Sequence, residues 1–340
     1  MEHLVSRRYW WFALSLLMIL PGLYFLLLHP LVTTGQFRVG LRPSIDFSGG
    51  SLWELRFADR APGEVRADEV AAVFAEQGFE GAQVQLSQVE IEGRQVADAL
   101  VRTRPISADT PLQETQAVEA ALQAAFGSVT RERLESVGPT VSAESTRSAV
   151  IAVLGASTVI LLYLTWAFRK APHPLRYGVC AILAMLHDVL VVLGIAAMLS
   201  AFNPRFEVDA LFLTALLTIL SFSVHDTIVV FDRIRENLIN RRPGETFDGI
   251  VNHSIVQTLP RSINTQLTTF FTLTALLLFG GESIRNFVLI MLIGLVSGTY
   301  SSIFNAAQLL VVWEHQEWRR WFGGGRRPDA EEPTPAVSQG

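Results

Sequence analysis

ILSFSVHDTIVVFDRIREN, residues 219–237, reads as an apolar helix that carries a carboxylic acid into its middle and leaves on a cluster of charges. Counted back to Ala210, the run has the roughly 20 apolar residues that a membrane-crossing helix needs. Asp226 stands about four turns from that start, and VHDTIVVF holds it inside the run. An ionisable group there is costly, and by default it is a functional candidate. Arg233 lies seven residues on, two turns away on the same face. Asp232, Arg233, Arg235 and Glu236 mark the exit into water, so Asp232 reads as part of a solvated helix end.

Five further stretches have spanning length, at 10–28, 149–168, 175–199, 263–279 and 287–313; with 210–231 they make six. The fifth in chain order, 263–279, is the least apolar, being interrupted by Ser, Thr, Asn and Gln. The first follows Arg7 and Arg8 as a signal peptide would, but its apolar run exceeds the roughly 7–15 residues of a cleavable core. An uncleaved anchor is expected. Half of the 340 residues are apolar and 17% are charged, against about 25% in soluble domains. A net charge of −5 gives no ground for nucleic-acid binding, and a lone Cys180 excludes an internal disulfide or a cysteine metal cluster.

Between Gly35 and Ser145 there are 10 Arg, no Lys and 17 acidic residues, net −7, whereas the remainder is mildly basic. Lys and Arg set orientation through short loops. Arg7 and Arg8, Arg169, Lys170 and Arg176, Arg233 to Arg242, and Arg319 to Arg327 fall on one side; Arg205 and Arg285 fall on the other. Both termini are therefore expected in the cytoplasm and the acidic segment outside. That segment reads as β-α-β-β-α-β, the ferredoxin-like order. Strands are expected at 51–57, 82–91, 95–102 and 128–137, helices at 67–77 and 112–126, with a Glu92-Gly93 turn and a Thr110/Gln113 capping box. Four regions follow: 1–34 (N-terminus and first helix), 35–146 (external α+β domain), 147–322 (five membrane helices) and 323–340, a Gly/Pro/charge-rich tail expected to be disordered.

Chemistry centres on few residues. His187-Asp188 sits near the middle of the third helix, in AILAMLHDVLVVLG, and Asp188 reads equally as part of a proton relay or as a structural group. The fifth opens on TLPRSINTQLTTFFT, where Pro260 frees a carbonyl one turn back and Arg261, Thr265, Thr268 or Thr269, and Thr272 recur at helical spacing. Arg261 enters at about the depth of Asp226 and is expected to face the interior. Burial disfavours a carboxylate's charged form and a facing guanidinium favours it, so such a pair can serve as a proton relay; the plainer reading is a buried clamp between helices. His187 and His225 can shuttle protons, or simply hydrogen-bond inside the bundle, which is the expectation for each. No H-E-x-x-H and no P-loop is present, and no cofactor, metal or nucleotide site is expected. Two stretches flank the external domain. IDFSGGS (45–51) places Asp46, Gly49 and Gly50 before the first strand, and SVGPTVSAEST (136–146) breaks the last strand at Gly138-Pro139, with Ser142 or Ser145 to cap the next helix. Both read as joints between domain and bundle.

IDFSGG, SVGPTVSAE, LHDV, HDTIVVFDRIREN and LPRSINT, in that order, resemble the signature set of the SecF family within the resistance-nodulation-division superfamily. The resemblance spans nearly the whole chain except the tail. It implies a bacterial inner-membrane subunit that works with SecD beside SecYEG. Such a pair uses the proton-motive force to help translocating unfolded chains outward after SecA has acted, and it is not an enzyme. It further implies that Asp226, Arg261 and Thr265 take part in proton transport. The family usually has Asn before that Asp; here His225 stands there, which bears on the acidity of Asp226. Rival readings are one half of a small-molecule exporter of the same superfamily, an intramembrane aspartyl protease using Asp188 and Asp226, and a purely structural subunit. The single six-helix half argues against the exporter, and the lack of a G-x-G-D context argues against the protease.

Overall fold

The computed structural model describes residues 4–91, 94–169, 173–203 and 205–317. The expected Glu92-Gly93 turn, the tail and several basic loop residues (Lys170, Arg319 and Arg320 among them) lie outside them. Among the described residues six helical runs are long and apolar enough to cross a membrane, and the fifth is the least apolar. The first comprises α1 (Arg8–Leu23), a π-turn (Tyr24–Leu28) and α2 (His29–Thr34). The others are α6 (Pro139–Ala167), α7 (Pro174–Phe202), α8 (Ala210–Ile239), α9 (Phe247–Phe279) and a sixth run. That last run joins α10 (Glu282–Ser301) to α11 (Ala307–Glu314) through a second π-turn, Ser302–Ala306.

Between the first and second runs come the short α3 (Ile45–Ser48) and a four-stranded antiparallel sheet. In chain order its elements are β1 (Gly50–Phe57), α4 (Ala67–Glu76), β2 (Gln83–Ile91), β3 (Arg94–Thr103), α5 (Pro111–Phe126) and β4 (Val129–Val137). The strands lie side by side as β2-β3-β1-β4. Alternation along β1 sends Trp53, Leu55 and Phe57 to one face, opposite Val101, Ala99 and Ala97 of β3. Val70 and Phe74 of α4 with Val118, Leu122 and Phe126 of α5 close over them. The expected cap of α5 is not made: the Thr110 side chain bonds nothing there, Pro111 opens the helix, and Glu114 accepts instead from the Ser107 amide (3.1 Å).

In the bundle, α7, α8 and α10 are the most enclosed, while α6 and α9 turn much of their surface outward. Glycines let α7 approach α1 and α10 approach α8 closely. A Cβ on Gly194 of α7 would lie 2.5 Å from Gly22 Cα of α1, and one on Gly294 of α10 would lie 2.2 Å from Ile219 Cδ1 of α8. Gly294 and Gly298 are four apart, the spacing at which small residues let membrane helices approach.

Domain and bundle meet without slack. β4 ends at Val137 and α6 starts at Pro139, ten residues before the apolar run, because its first turns are helical but polar. Ser142 and Ser145 consequently lie inside α6 and do not cap it; Gly138 holds the N-cap position. On the opposite side Pro43 bridges Val208 in the α7–α8 connection, with Ser44 N to Val208 O and Val208 N to Arg42 O both 2.8 Å. Arg205 reaches the buried Asp98 of β3 (2.5 Å), and Arg102 pairs with Glu207.

Candidate functional site

Among the described residues two carboxyl groups are buried within the spanning helices themselves, and hydroxyls hold both. Asp226 of α8 is 4% exposed; Oδ1 accepts from Ser262 Oγ of α9 (2.7 Å) and Oδ2 from Ser302 Oγ at the π-turn (3.0 Å). Asp188 of α7 is fully buried. Its Oδ2 accepts from Ser223 Oγ and Ser301 Oγ (both 2.6 Å) and its Oδ1 from Ser297 Oγ (2.7 Å), with His187 Nδ1 at 3.1 Å from Oδ1. A serine can donate to a carboxylate or accept from a carboxylic acid, so these cages fit either protonation state.

Helical phase decides which residues enter the cages. Ser223 and Asp226 are three apart on α8 and share its inner face. On α9 the buried stripe is Ser254, Thr258, Ser262 and Gln266, at a spacing of four. Arg261 sits one residue, about 100°, from Ser262 and is exposed, as is Thr265. The expectation of an inward Arg261 is thereby corrected: the inner position at that depth belongs to Ser262. The Thr265, Thr268, Thr269 and Thr272 hydroxyls each return to a carbonyl of their own helix, four residues back.

The same phase separates the two histidines. His187 is buried against Asp188 as expected. His225 lies between the buried Val224 and Asp226 and points outward, so the expectation of a histidine bonded inside the bundle is corrected there. Arg233 turns to Glu236 (2.7 Å) and Asp232 to Arg235 (2.8 Å), both at the charged exit of α8.

At the joint, Asp46 Oδ2 accepts from the Ala210 amide (3.1 Å) and Asp209 Oδ1 from the Phe212 amide (2.7 Å), so two carboxylates cap α8. Gly50 has φ +109° and lies where a Cβ would be 2.6 Å from Thr103 O, which is why a glycine stands there. Gly49 (φ +70°) faces Ser142 of α6.

Sequence reasoning singled out both aspartates but none of the five serines around them. The signal was present: Ser297, Ser301 and Ser302 interrupt the sixth apolar run beside Gly294 and Gly298, the small-and-polar pattern of a tight membrane-helix interface.

Residues 117–316 match the family described as "Protein export membrane protein SecD/SecF, C-terminal". The protein translocase subunit SecF of Thermobaculum terrenum is 47% identical over 97% of this chain and 99% of its own length. The corresponding subunit of Anaerolinea thermophila is 45% identical over 96% and 99%. Among solved structures, SecDF of Thermus thermophilus, described as a translocon-associated membrane protein, superposes with a TM-score of 0.70 at 34% identity. The match covers 92% of this chain and 38% of that one, so this chain spans well under half of the solved protein.

Proposed function

Because the chain belongs to the SecF family of protein-export membrane proteins, we propose that it is the SecF-type half of a SecD–SecF pair. In this reading the pair stands beside SecYEG in the bacterial inner membrane and uses the proton-motive force to draw unfolded chains outward once SecA has acted. Each charge that crosses yields about 2.3 kcal/mol per 100 mV. The observation that carries the reading is Asp226: an almost fully enclosed carboxyl group held by hydroxyls from two different helical segments. Gain of a proton there reverses the direction of at least one of those hydrogen bonds, and α9 and the π-turn respond.

Arg261 and Thr265 act from the outward face of α9, where a second six-helix half carrying its own membrane carboxylate packs. The fused SecDF relatives support such a partner. Both termini are cytoplasmic, by the placement of Lys and Arg in short loops. The sheet is a ferredoxin-like domain outside the membrane; its β-α-β-β-α-β order and β2-β3-β1-β4 arrangement support that reading. The protein is a transporter and not an enzyme. An aspartyl-protease dyad is disfavoured because Asp188 and Asp226 share no hydrogen bond and each has its own hydroxyl set.

The test is Asp226→Asn in vesicles containing the SecD partner, the translocon and SecA. Proton-driven stimulation of export is lost while ATP-driven export persists. Full stimulation in the variant sinks the assignment.

A further inference from the structure

The proton path above leaves Asp188 idle, although it is the more enclosed of the two acids and the more heavily bonded. Three serine hydroxyls and one imidazole nitrogen converge on it from α7, α8 and α10. Among the described residues no Lys or Arg pairs with it. A clamp that must stay ionised is best served by a fixed cation; hydroxyls, which donate or accept, serve a group that changes state.

The two acids are also wired together. Ser301 donates to Asp188 and its neighbour Ser302 donates to Asp226, at the point where α10 passes into the π-turn. Ser223, which holds Asp188, is one turn from Asp226 on α8. Reorienting the Ser301 side chain therefore acts on the segment that holds the other acid. π-turns of this kind are frequent at functional sites.

A polar face continues from there. Ser297, Ser301, Asn305 and Gln308 follow one another at spacings of four, four and three, all buried. His187 Nε2, Asn305 Nδ2 and both amide atoms of Gln308 have no protein partner. Buried polar atoms of this sort are ordinarily met by ordered water. The face runs from the two acids toward Glu314, where α11 ends.

We propose that Asp188 is a second proton-binding group of the bundle, coupled to Asp226 through the adjacent Ser301 and Ser302 hydroxyls and supplied along the Asn305–Gln308 face. Binding forms one O–H bond on the Asp188 carboxyl; that O–H donates to a serine oxygen from which the carboxylate had accepted, and release reverses the step. The titratable groups facing Asp188 are His187 on its own helix, Tyr300 of α10 against the His187 ring, and Asp226 of α8 across the serine pair. This deepens the proton-path reading and takes the role of Asp226 from it.

The test is infrared difference spectroscopy of the carboxyl C=O band during pH titration of the full chain in lipid nanodiscs. Two carboxyl signals should belong to the bundle, told from those of Asp98, Glu207 and Asp209 by their loss in Asp188→Asn and Asp226→Asn. Asp188→Asn should delete one and move the apparent midpoint of the other by at least about one pH unit, the mark of coupled sites. Ser301→Ala, which leaves Asp188 two of its hydroxyls, should keep both signals and change the separation of their midpoints. The proposal is overturned if Asp188→Asn removes no titrating signal, if the surviving midpoint stays put, or if Ser301→Ala leaves the separation unchanged. Proton-driven stimulation of export that survives in full in Asp226→Asn would sink the export reading and leave these spectra as they are, so the two failures are distinguishable.

Discussion

Gly294→Ala tests whether α8 and α10 are pressed together as tightly as the cages require. The new Cβ would lie 2.2, 2.4 and 2.7 Å from Cδ1, Cγ1 and Cγ2 of Ile219, a side chain that is 2% exposed. Three overlaps on one buried side chain cannot be relieved by turning its last methyl, so the helices part or Ile219 leaves its rotamer. Overpacking of this kind costs about 1–3 kcal/mol. The gain in helix propensity from Gly to Ala offsets about 1 kcal/mol of that, leaving a small net loss that is hard to interpret alone. A double-mutant cycle removes the ambiguity. Ile219→Ala alone costs about 2–5 kcal/mol, and in the Gly294→Ala background it should cost at least about 1 kcal/mol less, because it vacates the space the new methyl needs. Equilibrium unfolding of the full chain in detergent micelles measures all four corners. Additivity within about 0.5 kcal/mol would refute the close approach. The same separation should loosen the Asp188 cage, since Gly298, one turn on, packs against Ser223 and Asp188.

Three other outcomes are expected. Gly194→Ala places a methyl against the backbone of Gly22 and not against a yielding side chain; α1 should move off α7, with a stability loss of about 1–3 kcal/mol in the same unfolding assay, and no effect would refute the crossing. Arg205→Ala leaves Asp98 buried without its cation; since Arg205 is partly exposed the cost is of order 1–2 kcal/mol, well below that of breaking a fully buried pair, read as faster hydrogen exchange at the Ser44 and Val208 amides. The same amides report a pH effect. Burial lifts Glu207 above the usual glutamate range despite Arg102 beside it, and burial lifts Asp209 likewise. The docked arrangement thus binds protons more readily than an undocked one. Its stability is fullest below the ordinary value of about 4.3 and falls as pH rises through the raised one. Glu207→Gln should flatten much of that dependence, and intrinsic-rate-corrected protection that grows with pH across the window contradicts it.

How much of this was legible beforehand follows from what each signal depends on. Apolar length is read residue by residue, so the six spanning runs and the carboxyl groups inside two of them stood out. Strand alternation was equally plain: Trp53, Leu55 and Phe57 announce one buried face of β1. What failed was phase. Phase needs one marked face, and α9 carries two polar stripes, Arg261-Thr265-Thr268-Thr272 and Ser254-Thr258-Ser262-Gln266, so composition does not tell the inner one from the outer. His225 was misplaced by phase too, one step from Asp226. The π-turns leave no compositional mark, and the early start of α6 was hidden because its first turns lie in polar sequence. The serines were passed over singly, though as a set beside Gly294 and Gly298 they were readable.

The bond from Asp46 to the first amide of α8 has a mechanical reading. Sixteen residues, about 24 Å of unbroken helix, separate Ala210 from Asp226. At one tip of this strut sits the acid, and at the other the segment that leads directly into β1. Acid and sheet are thus joined by one rod of helix, one hydrogen bond and the glycine pair Gly49-Gly50, where the backbone can turn.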